Sequence, residues 1–385
     1  MTTMKAALYF PILRAKRGEI DAVSHFSPHA RTRIRPMFDV QKQKPMDDTP
    51  AEVHLSELSR ELAQSWGTAM PLFIDFSLFG PEDRLLDERL PVDFFFECLH
   101  QLGMLGIPVT GPEFIRGPGS DYLDAVARIA QHDGRGAALR MPYAEMRDVA
   151  DLRQAIDDTL GILRLPPTMV DVYIDFESLV IPERQFATRT GFITAAVEAI
   201  EVLKSDNFRN VIVCGSSVPE SVGKEYDWNS LRVERTEFVG WQDFQERFHP
   251  LLIKFGDYGV TFARERDADK PVKPPGRIRL STEQSHVLWR APRENYLQLC
   301  ERVVASPDFD PNLDAWGMTI LHQCARYGRG KGGPTQWVAR DTNLHAELTL
   351  RSIEVTLRRS GLLSEVNFAA ADVFPWNQML IDATE

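Results

Sequence analysis

Short apolar runs alternate with helix-period stretches over the first two thirds of the chain, and several of the runs stop at a charged residue. Read as strands, the runs cover residues 6–13, 34–40, 72–79, 107–110, 136–141, 170–176, 210–214 and 251–255. Between them the apolar positions take the three-and-four spacing of an amphipathic helix. Val53, Leu55, Leu58, Leu62 and Trp66 form one such face, and Phe94, Phe95, Phe96 and Leu99 form another. Further helices are expected over 122–132, 149–163 and 191–204. A strict strand–helix alternation predicts a parallel sheet. Eight units in this length of chain match a (β/α)8 barrel of the TIM type, for which roughly 250 residues is typical.

The stretch 216–249 is longer than its counterparts and carries Trp228, Trp241 and Phe244; no strand is assigned within it. The alternation ends after Gly256-Asp257-Tyr258-Gly259, and Lys270-Pro-Val-Lys-Pro-Pro-Gly276 reads as a stiff connector. The expected division is therefore a barrel over 1–268 and a C-terminal α+β extension over 269–385, packed on the barrel. In the extension, 277–281 and 286–290 read as strands, 295–305 and 315–325 as helices, and 328–333 as a glycine-rich loop. Residues 344–359 fit a strand or a helix equally well.

Composition narrows the function classes. A hydrophobic fraction of 43% with 10% aromatics in 385 residues supports a large core. A formal net charge of −11 argues against broad nucleic-acid binding by bulk electrostatics. A local basic-aromatic patch at Arg326, Arg329, Lys331, Trp337 and Arg340 remains open as a nucleic-acid contact. Cys98, Cys214, Cys300 and Cys324 form no CxxC pair, so neither a structural zinc site nor a disulfide framework is expected. The N-terminus is interrupted too early for a signal peptide, and no apolar run approaches the roughly 20 residues of a membrane helix. A soluble, cytoplasmic protein is expected.

Four stretches resemble the Beta protein family, named after a phage T4 protein and found in phages and bacteria. They are Tyr9-Phe-Pro-Ile-Leu-Arg-Ala-Lys-Arg-Gly-Glu19, Arg35-Pro-Met-Phe-Asp39, Phe255-Gly-Asp-Tyr258, and a tract from Trp316-Gly-Met to Trp337-Val-Ala-Arg-Asp-Thr-Asn-Leu-His345. The resemblance implies no established reaction or cofactor. Some bacterial members look like parts of phage-defence gene clusters, which implies antiviral defence and a protein partner encoded nearby. The tract around Asn343 is usually richer in histidine; this chain has only His345 there.

In a (β/α)8 barrel the strand C-termini share one face, where active sites lie. Lys16, Asp39, Asp75, Arg140, Asp175, Glu177, Lys254 and Asp257 all fall at or just past expected strand ends. Asp75 and Asp175 end apolar runs in similar settings, Phe-Ile-Asp-Phe and Tyr-Ile-Asp-Phe. Asp75, Asp175, Lys254 and Arg140 are the candidate catalytic set; Lys16, Asp39, Glu177, Ser216, Asp257 and Tyr258 are the candidate ligand contacts. Carboxylates beside Lys and Arg could hold a divalent metal such as Mg²⁺ and a phosphate, giving a phosphodiesterase-like site. Two opposed acids could instead cleave a glycoside, with Asp175 or Glu177 as the acid. An ion-pair network without turnover is the competing structural reading. Neither a HExxH nor a GxSxG spacing occurs. Gly215-Ser-Ser217 could present amides to a phosphate, and Cys214 could serve as a nucleophile or simply fill the core. The two functional classes are thus a sensor or scaffold in a phage–host conflict complex, and a barrel-mouth hydrolase.

Overall fold

The computed structural model describes residues 7–43, 49–80, 82–114, 120–143, 149–181, 187–203, 206–247, 253–263, 275–292 and 295–362. Eight parallel strands form one sheet: β1 (Ile12–Arg14), β2 (Met37–Asp39), β3 (Leu72–Asp75), β4 (Gly106–Thr110), β5 (Ala137–Pro142), β6 (Val170–Ser178), β7 (Asn210–Ser216) and β9 (Lys254–Asp257). They neighbour one another in chain order. The ring is completed by Tyr9, which bridges Ile34 on one side and Phe255 on the other. There the Phe10 amide donates to the Phe255 carbonyl at 2.9 Å and the Arg35 amide to the Tyr9 carbonyl at 2.9 Å. This is the expected (β/α)8 barrel with a C-terminal extension.

The helices that follow the strands include α1 (Arg17–Ser24), α2 (Pro28–Arg33), α3 (Ala51–Trp66), α4 (Pro91–Gln101), α5 (Ser120–Asp133), α6 (Val149–Leu163), α7 (Arg189–Leu203) and α8 (Thr236–Arg247). Their apolar faces pack on the outward strand residues: Leu55, Leu58, Leu62 and Trp66 of α3 and Phe95, Phe96 and Leu99 of α4 are buried there. The Phe94–Leu99 cluster is therefore helix-to-barrel packing. Inside the barrel, Phe10, Phe73 and Tyr173 form an aromatic layer, Tyr173 edge-on to the other two, with centroids 5.7 to 6.4 Å apart.

The extension is α+β. Antiparallel β10 (Gly276–Ser281) and β11 (Ser285–Ala291) are joined by β8 (Ser230–Glu234), which comes from the 216–249 stretch and was not expected as a strand. One face of this sheet packs on α9 (Tyr296–Val304) and α10 (Trp316–Tyr327) through Ile278, Leu280, Val287 and Trp289. The 344–359 ambiguity resolves as the end of a single helix, α11 (Pro334–Arg359). Residues 339–350 of α11 are buried on every side, because the helix lies between the barrel and the extension sheet. A helix covered all round loses the one-sided apolar stripe that marks helices in sequence.

Close approach of backbones fixes that sandwich. A Cβ built on Gly317, in the first turn of α10, would lie 2.1 Å from the Arg340 carbonyl oxygen of α11, and the Gly317 amide already donates to Asn343 Oδ1 at 3.0 Å. Gly317→Ala is expected to lower stability by about 2 kcal/mol or more, since backbone cannot yield as a side chain can. Urea unfolding checks it; a loss within error of zero would mean that α10 slides freely on α11.

No helix among the described residues is long and apolar enough to cross a membrane.

Candidate functional site

Strand alternation decides which charged ends meet. Asp39, Asp75, Arg140 and Asp175 lie two residues beyond Met37, Phe73, Ala138 and Tyr173, which fill the barrel interior. With a side-chain period of two they point inward as well. Arg140 stands at the centre. Its Nη1 donates to Asp39 Oδ1 at 2.8 Å and to Asp75 Oδ2 at 2.6 Å, its Nε to Asp175 Oδ2 at 2.9 Å, and its Nη2 to the Tyr258 hydroxyl at 2.8 Å. Tyr258 in turn donates to Asp175 Oδ2 at 2.5 Å. The Asp75 and Asp175 side chains are 1% exposed and Arg140 15%. One guanidinium thus neutralises one of three buried carboxylates. Burial, opposed by Arg140 and reinforced by Asp75 and Asp175, pushes the Asp39 carboxyl up to about 7. The cluster therefore tends to keep a proton near neutral pH.

The second oxygens of Asp75 and Asp175 are committed locally, accepting the amides of Ser77 and Glu177 at 2.8 Å each. Glu177 adopts φ 52°, a left-handed conformation uncommon for a side chain of its size, next to a register shift in β6. It is half-buried at the rim.

The remaining sequence candidates go elsewhere. Lys254 is the first residue of β9 rather than the penultimate residue of a strand over 251–255, so it lies at the opposite end of the barrel from Arg140. Its electrostatic neighbours are Arg33 and Asp171, below the Phe10–Phe73–Tyr173 layer, and Asp171 is held by Arg209 Nη2 at 2.6 Å and Asn210 Nδ2 at 2.6 Å. Burial, with Arg33 nearby, pulls the Lys254 ammonium down to about 8. That end of a barrel serves stability rather than chemistry.

Asp257 faces outward, away from Arg140. Its Oδ1 accepts the Tyr9 hydroxyl at 2.5 Å and the Gly259 amide at 2.9 Å, while its Oδ2 meets His345 Nε2 at 2.9 Å and Arg235 Nη2 at 3.6 Å. From His345 the chain of contacts continues through Nδ1 to Ser281 Oγ at 2.7 Å, then to His286 and Glu237 at 3.4 and 3.3 Å. Asp257, His345 and Ser281 invite comparison with a hydrolytic triad. The carboxylate, however, binds Nε2 and the hydroxyl binds Nδ1, the reverse of the usual order. All three are closed off, at 1%, 0% and 4% exposure. This is a structural seam between β9, β10 and α11.

Ser216 Oγ accepts the Val218 amide at 3.2 Å, and the Ser217 amide donates to Glu237 Oε2 at 3.0 Å, so the protein's own carboxylate sits where a phosphate was anticipated. Cys214 is fully buried, with its thiol pushed well up by burial, as befits a core residue. Lys16 lies exposed at the turn between β1 and α1, lining a cleft beside the mouth. Of the basic-aromatic candidates, Trp337 is buried, stacked on Tyr296 at 5.3 Å, with Arg340 4.5 Å from its ring centre. Arg326, Arg329 and Lys331 stay exposed, Arg326 lying 5.4 Å from the ring centre of the exposed Tyr327 rather than beside Trp337.

Sequence reasoning passed over Arg235, Glu237, Ser281 and His286, all buried in the seam. The available signal was charge inside otherwise apolar elements, such as His286 ahead of Val287-Leu-Trp289.

No curated protein is similar enough to this chain to count as a match. A family profile described as Beta protein, however, matches residues 9–351, which takes in both the mouth cluster and the seam. Its span begins at the residue that closes the barrel and ends within the helix that joins barrel to extension, and so covers most of the architecture described above: the chain belongs to the Beta protein family.

Proposed function

We propose that the chain is a sensor or scaffold of a phage–host conflict system, acting through binding rather than turnover, with a protein partner encoded nearby. The observation that carries this reading is Arg140. A divalent metal in the mouth would be drawn to the point between Asp39, Asp75 and Asp175, and the guanidinium occupies that point with hydrogen bonds of 2.6 to 2.9 Å. A site built for metal-assisted hydrolysis keeps its carboxylates turned to an open position. Here they are turned to an internal cation. Membership of the Beta protein family supports the phage context, and a cytoplasmic location follows from that role.

The alternative is a barrel-mouth phosphodiesterase using Asp75 and Asp175. One observation favours it: the positive φ of Glu177 beside Asp175, since strained backbone gathers at functional sites.

Phage restriction in cells carrying the native neighbouring genes separates the two. Asp75→Asn/Asp175→Asn keeps an oxygen acceptor for Arg140 at both positions. The folded double variant is expected to restrict as the wild type does. Loss of restriction in a variant that melts normally would overturn the binding reading in favour of mouth chemistry.

A further inference from the structure

A cleft of about 470 Å³ opens between the barrel mouth and the extension. The loops after β1, β7 and β9 form one side; β10, β11 and the first turn of α11 form the other. That volume is in the range of small-molecule sites, commonly about 300–1,000 Å³. Its charge is opposite to that of the protein. Five cations line it (Arg14, Lys16, Arg17, Arg277 and Arg279) against two carboxylates, Glu19 and Glu220, an excess of three positive charges, or two once Asp341, 3.5 Å behind Arg279, is counted, in a chain of net charge −11. Burial raises the Glu19 carboxyl above its ordinary value. Arg277 and Arg279 are two apart on β10, so both project from the sheet face away from the Ile278–Leu280 core.

Backbone adds to this field. The first turns of α1 and α11 both border the cleft, although Gln336 Oε1 takes the Gly333 amide at 2.9 Å, Pro334 has no N–H to give, and the Glu19 carboxyl bonds its own amide. Helix N-termini carry partial positive charge and unpaired N–H groups. Val222, Phe262, Leu288 and Val338 supply an apolar wall.

We propose that this cleft binds a small phosphate-bearing organic ligand of nucleotide size, its phosphates held by Arg17, Arg277 and Arg279 and its organic part set against Leu288 and Phe262. This deepens the sensor reading above and rests on it for its biological sense. Bound there, the ligand would touch barrel and extension together, so its arrival is reported by the relation between the two.

Calorimetric titration of the full chain with ADP, pyrophosphate and adenosine tests it. ADP and pyrophosphate are expected to bind once per chain, more weakly as salt rises, while adenosine shows no heat. Arg17→Gln/Arg277→Gln is expected to weaken ADP binding by about tenfold or more, the weight of a charge-assisted contact. If that variant does not fold, the exposed Arg17→Glu replaces it, with the same expectation. The proposal is overturned if neither phosphate compound binds at millimolar concentration, if binding ignores both variants, or if only oligonucleotides bind. Restriction by a chain that binds no phosphate would sink this inference and spare the sensor reading. Phosphate binding by a chain that plays no part in restriction would do the reverse.

Discussion

Arg140→Met is expected to lower stability by about 3–5 kcal/mol near neutral pH, the usual cost of removing one partner from a buried ion cluster. The guanidinium makes four hydrogen bonds, three of them to carboxylates whose side chains are 1% to 11% exposed. Methionine fills much of the same volume, so the loss is electrostatic rather than a cavity. The pH dependence separates the two causes. A carboxyl whose folded pKa is raised contributes stability at pH below its unfolded value and loses it as pH rises through the folded one. Asp39 already behaves so in the wild type, with its folded value near 7. Without Arg140, which holds it down, the folded value of Asp39 rises further, so the deficit should be small at pH 5 and large at pH 8. Urea melts of both proteins at the two pH values measure it; an equal deficit at both would show that packing was lost instead. Arg140→Lys should fall between, since a single ammonium cannot present the fork that reaches three carboxylates.

Period-two reasoning located Asp39, Asp75, Arg140 and Asp175 because each closes a strand whose inward face is set by Met37, Phe73, Ala138 and Tyr173. The pairing register then brings them together without further information. The same reasoning misassigned the last barrel strand. An apolar run drew the assignment to 251–255, whereas the ladder pairs Lys254 to Asp257 against β7. The shift moves Lys254 from the mouth to the far end and turns Asp257 outward, since alternate residues take opposite faces. Strand β8 was invisible for another reason: Ser230-Leu-Arg-Val-Glu234 has two apolar residues, and its pairing partner lies some fifty residues on, in β11. The seam was the least legible part. Arg235, Ser281, His286 and His345 come from four separate elements or turns, and only the packing of α11 between two layers makes them neighbours.

That seam sets the second large effect. Asp257→Ala is expected to cost about 3–5 kcal/mol, because it strips the acceptor from Arg235, Tyr9 and His345 at once while all three stay buried. Burial pushes the Asp257 carboxyl up, but His345, Arg235 and Tyr9 outweigh it and hold the group below its ordinary value. A depressed carboxyl contributes stability above its unfolded pKa, near 4, and loses it as pH falls through the folded value. His345 adds to the same trend: burial lowers its folded pKa against the pull of Asp257, so its contribution is complete above about 6.5 and is lost as pH falls through the folded value. These two groups pull the wild type's melting temperature down from pH 7 toward pH 4, against the opposite contribution of Asp39. Asp257→Asn should melt lower than the wild type at pH 7 yet show a shallower acid slope, since the carboxylate's share of that slope is gone. Parallel slopes in the two proteins would mean that the acid sensitivity arises elsewhere. In that case the contact between β9 and α11 is held by packing alone, and Asp257 is a passenger in it.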